Sequence, residues 1–221
     1  MTLVNAKNLT LEEVHRLFQL ERHYSGSFAE LLTLEPLSDR EQQEIHQTRA
    51  EFDHHLTSGE PSEGQVKLIA VSPLLRLAGF YRYPFQVAVE EGIARIEVTD
   101  EDTVITGRFN ILAINRAILR SVNTPFWVLV IESKGGAISP SMGLPQLLTY
   151  AYRSLQQQPS IWGLVTNGEF YRFVYMQGGD PPRYYLLPSL NLLDVDSAHQ
   201  LLQVLKAIRQ QSATLPNSAV A

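Results

Sequence analysis

The segment FWVLVIESKGG at residues 126–136 constrains the fold more than any other part of the chain. Its six leading apolar residues include aromatic and β-branched types, a composition typical of a strand buried on both faces of a sheet. Because strand side chains alternate, Glu132 and Lys134 should share one face and Ser133 the other. Buried charges are costly unless they pair or hold a metal. The pair therefore indicates a hydrolytic metal site or a simple ion pair, and the tripeptide alone favours the ion pair.

Composition excludes several classes of protein. The chain has 221 residues, 44% of them hydrophobic, which suits one domain plus an appendage. The lack of cysteine excludes disulfides, thiolate zinc sites and a cysteine nucleophile. Without a signal-like N-terminus or a span-length apolar run, we expect a soluble, cytoplasmic protein with no membrane partner. A net charge of −5 counts mildly against nucleic-acid binding by bulk charge, although a local basic groove is compatible with it.

The first sixty residues indicate helices. Thr10 and Ser38 each open a capping box, which predicts helices from residue 11 to about 23 and from 39 to about 56. We therefore expect an α-helical appendage over residues 1–60. Ser62 begins a further helix that is apolar on most sides, that Pro73 should kink or divide, and that Gly79 should end.

The remaining pattern predicts a mixed α/β sheet. Extended segments are expected at 85–91, 93–99, 107–114, 126–132, 161–166 and 169–176. Helices are expected near 145–158 and 196–210, a type I′ turn at Asn167-Gly168, and a loop or edge strand from residue 177. The strand carrying Glu132 should be central, with helices packed on the sheet. This domain is predicted over 61–212, with a disordered tail at 213–221.

The order of these motifs resembles the PD-(D/E)XK nuclease superfamily. A core helix with an acid is followed by a hairpin, GRFNIL, a strand ending in ESK, QLLTY on the next helix, and the turn TNG. In particular, residues 62–176 resemble the N-terminal nuclease domain of type I restriction enzyme R subunits and their small stand-alone relatives. The resemblance implies a restriction-endonuclease-like core with a central mixed sheet flanked by helices.

The resemblance also assigns roles to single residues. It implies Mg²⁺- or Mn²⁺-dependent hydrolysis of DNA, with the metal held by Asn110, Glu132 and Glu63. It implies catalytic roles for Glu132, Lys134, Gln146 and Glu63, and nucleic-acid contacts from Arg108, Tyr150 and Asn167. DNA is the expected partner, together with a second copy of the chain or a larger restriction-system protein. Further arginines could contact phosphate: Arg116, Arg120, Arg153, Arg172 and Arg183.

Asn110 departs from the superfamily pattern, which has an aspartate at this place. Its amide oxygen can bind Mg²⁺ but brings no charge. Three interpretations stay open: an inactive relative that binds DNA or a protein, an enzyme in which Glu63, Glu97 or Asp102 supplies the charge, or a residue that was altered from aspartate. Structural roles also stay open for Glu63, which would favour the helix dipole, and for Tyr150, which could be a core aromatic.

Overall fold

A seven-stranded mixed sheet forms the centre of the molecule. The computed structural model describes residues 2–90, 92, 96–98, 103–120 and 124–213, with the backbone alone at 118–120 and 124–126. The strands are β1 Thr2–Asn5, β2 Glu21–Tyr24, β3 Phe85–Val89, β4 Ile96–Val98, β5 Thr103–Thr106, β6 Ile111–Arg120, β7 Thr124–Ser133, β8 Ser160–Thr166, β9 Phe170–Gln177 and β10 Arg183–Asn191. The large sheet has the order β2-β10-β9-β8-β7-β6-β3, and β1-β5-β4 form a second, small sheet.

Six α-helices accompany the strands in the described residues. They are α1 Leu11–Phe18, α2 Asp39–Ser58, α3 Glu63–Val66, α4 Ser72–Ala78, α5 Leu144–Leu155 and α6 Val195–Ala213. A π-helical turn at Lys67–Val71 joins α3 to α4, and short 3-10 turns lie at Ala6–Asn8, Phe28–Glu30 and Pro140–Gly143. In the part of the chain that the structure describes, no helix combines the length and apolarity needed to cross a membrane.

Strand β7 is buried on both faces, as its composition predicts. It pairs antiparallel with β6 and parallel with β8, which makes the sheet mixed and β7 an interior strand. Ile131 belongs to a core shared with α2, α3, α4 and α6. Val130 belongs to the opposite core, shared with α1, α5 and the small sheet. The predicted fold class, a mixed sheet flanked by helices, is confirmed.

The N-terminal region differs from the predicted helical appendage. Helix α1 ends at Phe18, five residues early, because Gln19 adopts a left-handed backbone with φ of 51°. Residues 21–24 then pair in parallel with β10 at the edge of the large sheet. All four β2 side chains are exposed, so the sequence carries no alternation that could predict the strand. Residues 1–60 thus contribute strands β1 and β2 as well as helices, while the position of the domain boundary stays a prediction.

Strands β4, β5 and β10 also correct the sequence interpretation. The predicted segment 93–99 is described only at residues 96–98, and it joins the small sheet rather than the central one. Strand β5 lies between two of the predicted segments, where no strand was predicted. The segment expected to be a loop or edge is strand β10, which lies between β2 and β9. Proline is normally excluded from interior strands, but Pro188 falls within a β-bulge between Leu186 and Ser189.

The structure confirms two of the three effects predicted for proline and glycine residues. The helix that contains Pro73 is interrupted, because the π-helical turn directly precedes α4. Gly79 ends α4 with a φ of +88°. The turn at 167–168 is not type I′, which needs positive φ at both residues, since Gly168 alone of the two has a positive φ. The predicted tail lies outside the described residues from 214 onward.

Candidate active site

Glu132 is a buried carboxylate at the carboxyl end of β7. Its side chain is 1% exposed. One oxygen, Oε1, accepts a hydrogen bond from Lys134 Nζ at 2.7 Å, so the two side chains lie on the same face as expected. The other oxygen, Oε2, is buried and has no hydrogen-bond partner in the described chain. An unpartnered buried carboxylate oxygen is costly, and it indicates a site for a cation or a donor that is not part of the chain.

A short hydrogen-bonded chain runs from Lys134 to helix α5. Lys134 Nζ lies 3.4 Å from Gln146 Oε1, and Gln146 Nε2 donates to Tyr150 Oη at 2.9 Å. The Tyr150 hydroxyl donates to the carbonyl oxygen of Arg108 at 2.7 Å. Residues four apart share one face of a helix, so α5 presents Gln146 and Tyr150 together. Tyr150 is therefore a buried core aromatic whose hydroxyl also supports Gln146, while its contact with nucleic acid stays a prediction.

The 3-10 turn at Pro140–Gly143 covers the carboxylate. A Cβ atom at Gly143 would lie 2.9 Å from Glu132 Cγ and 3.4 Å from Val165 Cγ1. A glycine is needed here because the turn approaches the buried side chain closely. The turn thus shields Glu132 from solvent on the α5 side of the sheet.

A second group of charges lies beside Glu132. Lys67 Nζ is 2.9 Å from Glu63 Oε1 and 2.9 Å from Glu90 Oε1. The start of α3 lies against the end of β7, because Gly136 N donates to Pro61 O at 2.9 Å and a Cβ at Gly135 would lie 3.8 Å from Glu63 N. The charges of Glu63 and Lys67 act on Glu132 from there, so we treat the two groups as one site. Sequence reasoning selected Glu63 but missed Lys67 and Glu90. The spacing of Lys67 four residues after Glu63 could have indicated the first contact.

The side chain of Asn110 is hydrogen-bonded to the end of β7. Its Oδ1 accepts hydrogen bonds from Ser133 N at 2.7 Å and from Ser133 Oγ at 3.0 Å. The amide oxygen predicted to bind metal is therefore engaged with the end of β7. Its side chain holds β6 against β7 next to the site, and the prediction that it is a ligand finds no support in this geometry.

The predicted nucleic-acid contacts separate into different environments. Arg108 is exposed, and its charge acts on Glu90. Asn167 is 5% exposed; its Nδ2 donates to Gly136 O, and its Oδ1 accepts from Phe170 N. Both polar ends of Asn167 thus hold backbone groups, so we assign it a structural role in the turn.

The other candidate arginines and acids either lie away from Glu132 or fall outside the described residues. Arg116 donates to Gln86, Arg153 to Gln156 and Arg183 to Glu21. Arg172 is half-buried on β9, and the side chain of Arg120 and the whole of Asp102 fall outside the described residues. Glu97 lies in the small sheet and lines a cavity of about 510 Å³ with Tyr152 and Asp180. Of the two acids proposed to replace an aspartate that the structure describes, Glu97 lies in the small sheet, and Glu63 is the one whose charge acts on Glu132.

Burial raises the pKa of Glu132 to about 7, although its hydrogen bond with Lys134 and the charge of Lys134 act in the opposite direction. Repulsion from Glu63 raises the pKa further, and the more distant Lys67 lowers it. Burial likewise raises the pKa of Tyr150 to about 12, so its hydroxyl stays protonated and donates to Arg108 O. The carboxylate form of Glu132 would be favoured by added positive charge at the site.

The donor set fits a divalent cation through two carboxylates. Glu132 offers its buried, unpartnered Oε2, and Glu63 is a 41% exposed carboxylate whose charge already reaches Glu132. Oxygen ligands with open positions for water suit Mg²⁺ or Mn²⁺. Within the described ranges, no cluster of three or more His, Cys, Asp or Glu side chains is arranged to hold a metal. A bound ion would therefore complete its coordination with water or substrate oxygens.

No family model and no curated protein matches the sequence. Among solved structures, the chain is similar to "the fragment structure of a putative HsdR subunit of a type I restriction enzyme from Vibrio vulnificus YJ016". The identity is 19% and the TM-score 0.39, and the match covers 65% of this chain but only 25% of that one. A similarity this low does not establish a shared activity, so membership of the PD-(D/E)XK superfamily stays a prediction.

Proposed function

We propose that the protein is a Mg²⁺- or Mn²⁺-dependent nuclease that hydrolyses phosphodiester bonds of DNA. The observation that carries the proposal is the buried Glu132 carboxylate, which has one oxygen on Lys134 and the other without a partner in the described residues. A carboxylate and a lysine side by side at the end of a buried strand supply a ligand for a cation and a positive charge for a phosphate.

Each side chain of the site would have a distinct role in the proposed reaction. Glu132 and Glu63 would hold the ion, which when bound polarises a phosphoryl oxygen and makes a water more nucleophilic. Lys134 is 19% exposed and sits beside Glu132, where its ammonium group can orient that water or balance phosphate charge. Gln146 accepts from Lys134 and is itself held by Tyr150, so it keeps the ammonium group at the site. Arg108 is exposed beside Glu90 and can contact a phosphate.

A cleavage assay tests the proposal. Plasmid and linear DNA are incubated with wild type, Asn110→Asp and Lys134→Ala proteins in Mg²⁺ or Mn²⁺, and strand breaks are counted on gels. We expect metal-dependent cleavage by the wild type, equal or faster cleavage by Asn110→Asp, and a loss of about 100-fold or more for Lys134→Ala. Lys206→Ala is a matched control, because Lys206 is a part-buried lysine paired with Glu41 on helix α2. If neither wild type nor Asn110→Asp cuts any DNA, the proposal is wrong.

One observation favours a second function, a nuclease-fold module that binds DNA without cutting it. Asn110 carries no charge, and its oxygen is engaged by Ser133. Such a module would retain DNA on a gel without metal, and Lys134→Ala would leave that retention unchanged. Metal-dependent retention that is weakened by Lys134→Ala supports the nuclease instead.

A further inference from the structure

Lys67 lies between two carboxylates at the edge of the site. Its side chain is 14% exposed, and its Nζ is 2.9 Å from both Glu63 Oε1 and Glu90 Oε1. Both acids contact the same ammonium group, so its single positive charge is shared between them. The charge that Glu63 can offer to a cation therefore depends on how fully Glu90 balances Lys67.

The charges nearest to Glu132 cancel when Glu90 is left out. In the ionised form that a bound cation favours, Glu132 is negative like Glu63, while Lys134 and Lys67 are positive, so these four groups sum to zero. A site with no net charge holds a divalent cation weakly, because attraction and repulsion at similar distances offset each other. Glu90 brings the sum of these five groups to −1. An aspartate in place of Asn110 would have had the same effect. Arg108 also acts on Glu90, but Arg108 is exposed, so water and salt screen its charge.

The backbone of Glu90 is held in an unusual conformation next to Asn110. Glu90 has a φ of +53°, which is uncommon for a residue with a side chain. Its N–H donates to the carbonyl oxygen of Asn110 at 3.0 Å, just beyond the pairing of Val89 with Ile111. Glycine would adopt this conformation at lower cost, so the presence of a glutamate suggests that its side chain is needed.

We infer that Glu90 neutralises Lys67 and so leaves the negative charge of Glu63 available to a divalent cation, which compensates for the carboxylate missing at Asn110. The inference rests on the proposed function. The buried, unpartnered Oε2 of Glu132 provides the independent sign that a cation belongs beside this cluster. Glu90 is a positioning residue: it acts through Lys67, and its own side chain, 62% exposed, need not touch the ion.

Mn²⁺ affinity, measured by electron paramagnetic resonance and calorimetry without DNA, tests the inference. The proteins are wild type, Glu90→Gln, Lys67→Met and the double variant Glu90→Gln/Lys67→Met. We expect Glu90→Gln to weaken Mn²⁺ binding about tenfold, since one compensating charge is lost close to the ion. The double variant should bind Mn²⁺ as tightly as wild type, because it has no positive charge at residue 67 to oppose Glu63. Glu12→Gln removes the same charge from the exposed face of α1 and should change nothing.

The outcomes distinguish this inference from the proposed function. If wild type binds no Mn²⁺, both are wrong. If wild type binds Mn²⁺ and Glu90→Gln binds equally well, the nuclease proposal stands and this inference is overturned. If Glu90→Gln weakens binding and the double variant does not recover it, Glu90 acts directly on the ion rather than through Lys67, which also contradicts the inference. Urea unfolding of each variant separates these effects from loss of fold.

Discussion

At the scale of single residues, the site contains two kinds of contact. Some join side chains whose spacing in the sequence predicts the contact, and others join side chains that only the tertiary structure brings together. The sequence predicts that Glu132 and Lys134 share a face of the strand, and Lys134 Nζ lies 2.7 Å from Glu132 Oε1. It also predicts that Gln146 and Tyr150 share a helix face, and they are hydrogen-bonded. Two other contacts have no local pattern that could predict them. Asn110 meets Ser133 only through the register between β6 and β7, and Glu90 meets Lys67 across 23 residues of chain.

His15 gives a residue-scale prediction about pH. Its Nε2 lies 2.7 Å from the hydroxyl of buried Tyr184, and burial, followed by repulsion from Arg22, lowers the pKa of His15 below its ordinary value of 6.5. The unfolded chain therefore binds more protons than the folded chain just below pH 6.5, so stability should fall as the pH drops from 6.5 toward the lowered pKa. Full stabilisation from neutral His15 is present above pH 6.5.

Urea unfolding between about pH 7.5 and 5.5 measures this effect. The free energy of unfolding of wild type should fall more steeply with decreasing pH than that of His15→Gln, which cannot titrate. His46→Gln is the control, because His46 is exposed on α2, and it should keep the wild-type slope. Equal slopes for wild type and His15→Gln would show that His15 has an unshifted pKa.

At the scale of elements, helices and strands that carry a local sequence signal can be predicted, and a strand that depends on the edge of a sheet cannot. The sequence predicts α2, α5 and β7, because a capping box or an apolar run marks each of them locally. Strand β2 cannot, because all its side chains are exposed and its existence depends on the free edge of β10. The sequence does not predict that the 3-10 turn at Pro140–Gly143 covers Glu132, because that role depends on a tertiary contact of Gly143 with the carboxylate side chain.

The close approach of that turn yields an element-scale prediction. In Gly143→Ala the new methyl group would meet Glu132 Cγ at 2.9 Å, and the buried carboxylate has little space to move away. We expect a loss of about 1–3 kcal/mol in the free energy of unfolding, together with weaker Mn²⁺ binding.

Gly26→Ala is the matched control for this substitution. Nothing lies within 4 Å of the place that its added methyl group would take, and the φ of Gly26 is not positive. The stability of Gly26→Ala should therefore be unchanged or slightly higher. Equal stability of both variants in urea unfolding would show that the turn does not press on Glu132.

At the scale of the whole molecule, the N-terminal region is built into the core of the large sheet. Phe28, Ile45 and Phe52 are buried in the same core as Ile131 of β7. Phe52 of α2 lies directly beneath the turn at Gly168, where an added Cβ would come within 2.5 Å of its ring. Strand β2 extends the large sheet through β10. The sequence indicates an appendage, since α2 has few apolar positions, but those few are the ones that pack inward.

This packing predicts that α2 and the sheet unfold together. Phe52→Ala should lower the free energy of unfolding by about 3–5 kcal/mol, because it leaves a cavity in the shared core. The change should appear equally in far-ultraviolet circular dichroism and in tryptophan fluorescence, which reports Trp127 of β7 and buried Trp162 of β8, both far along the chain from α2. His54→Ala, an exposed neighbour on the same helix, should leave both signals unchanged. An unaltered tryptophan transition in Phe52→Ala would mean that residues 1–60 form a separate unit.

The unpartnered oxygen of Glu132 is the core of the proposed divalent-cation site. Anomalous diffraction from crystals grown in Mn²⁺ locates such an ion, with Glu132→Gln crystals as the control. We predict a manganese peak within coordination distance of Glu132 Oε2, about 2.0–2.6 Å, with Glu63 as a second ligand or holding a bridging water. The peak should disappear in Glu132→Gln. A wild-type map with no peak at millimolar Mn²⁺, and with Glu132 still held by Lys134 alone, would contradict the proposed cation site.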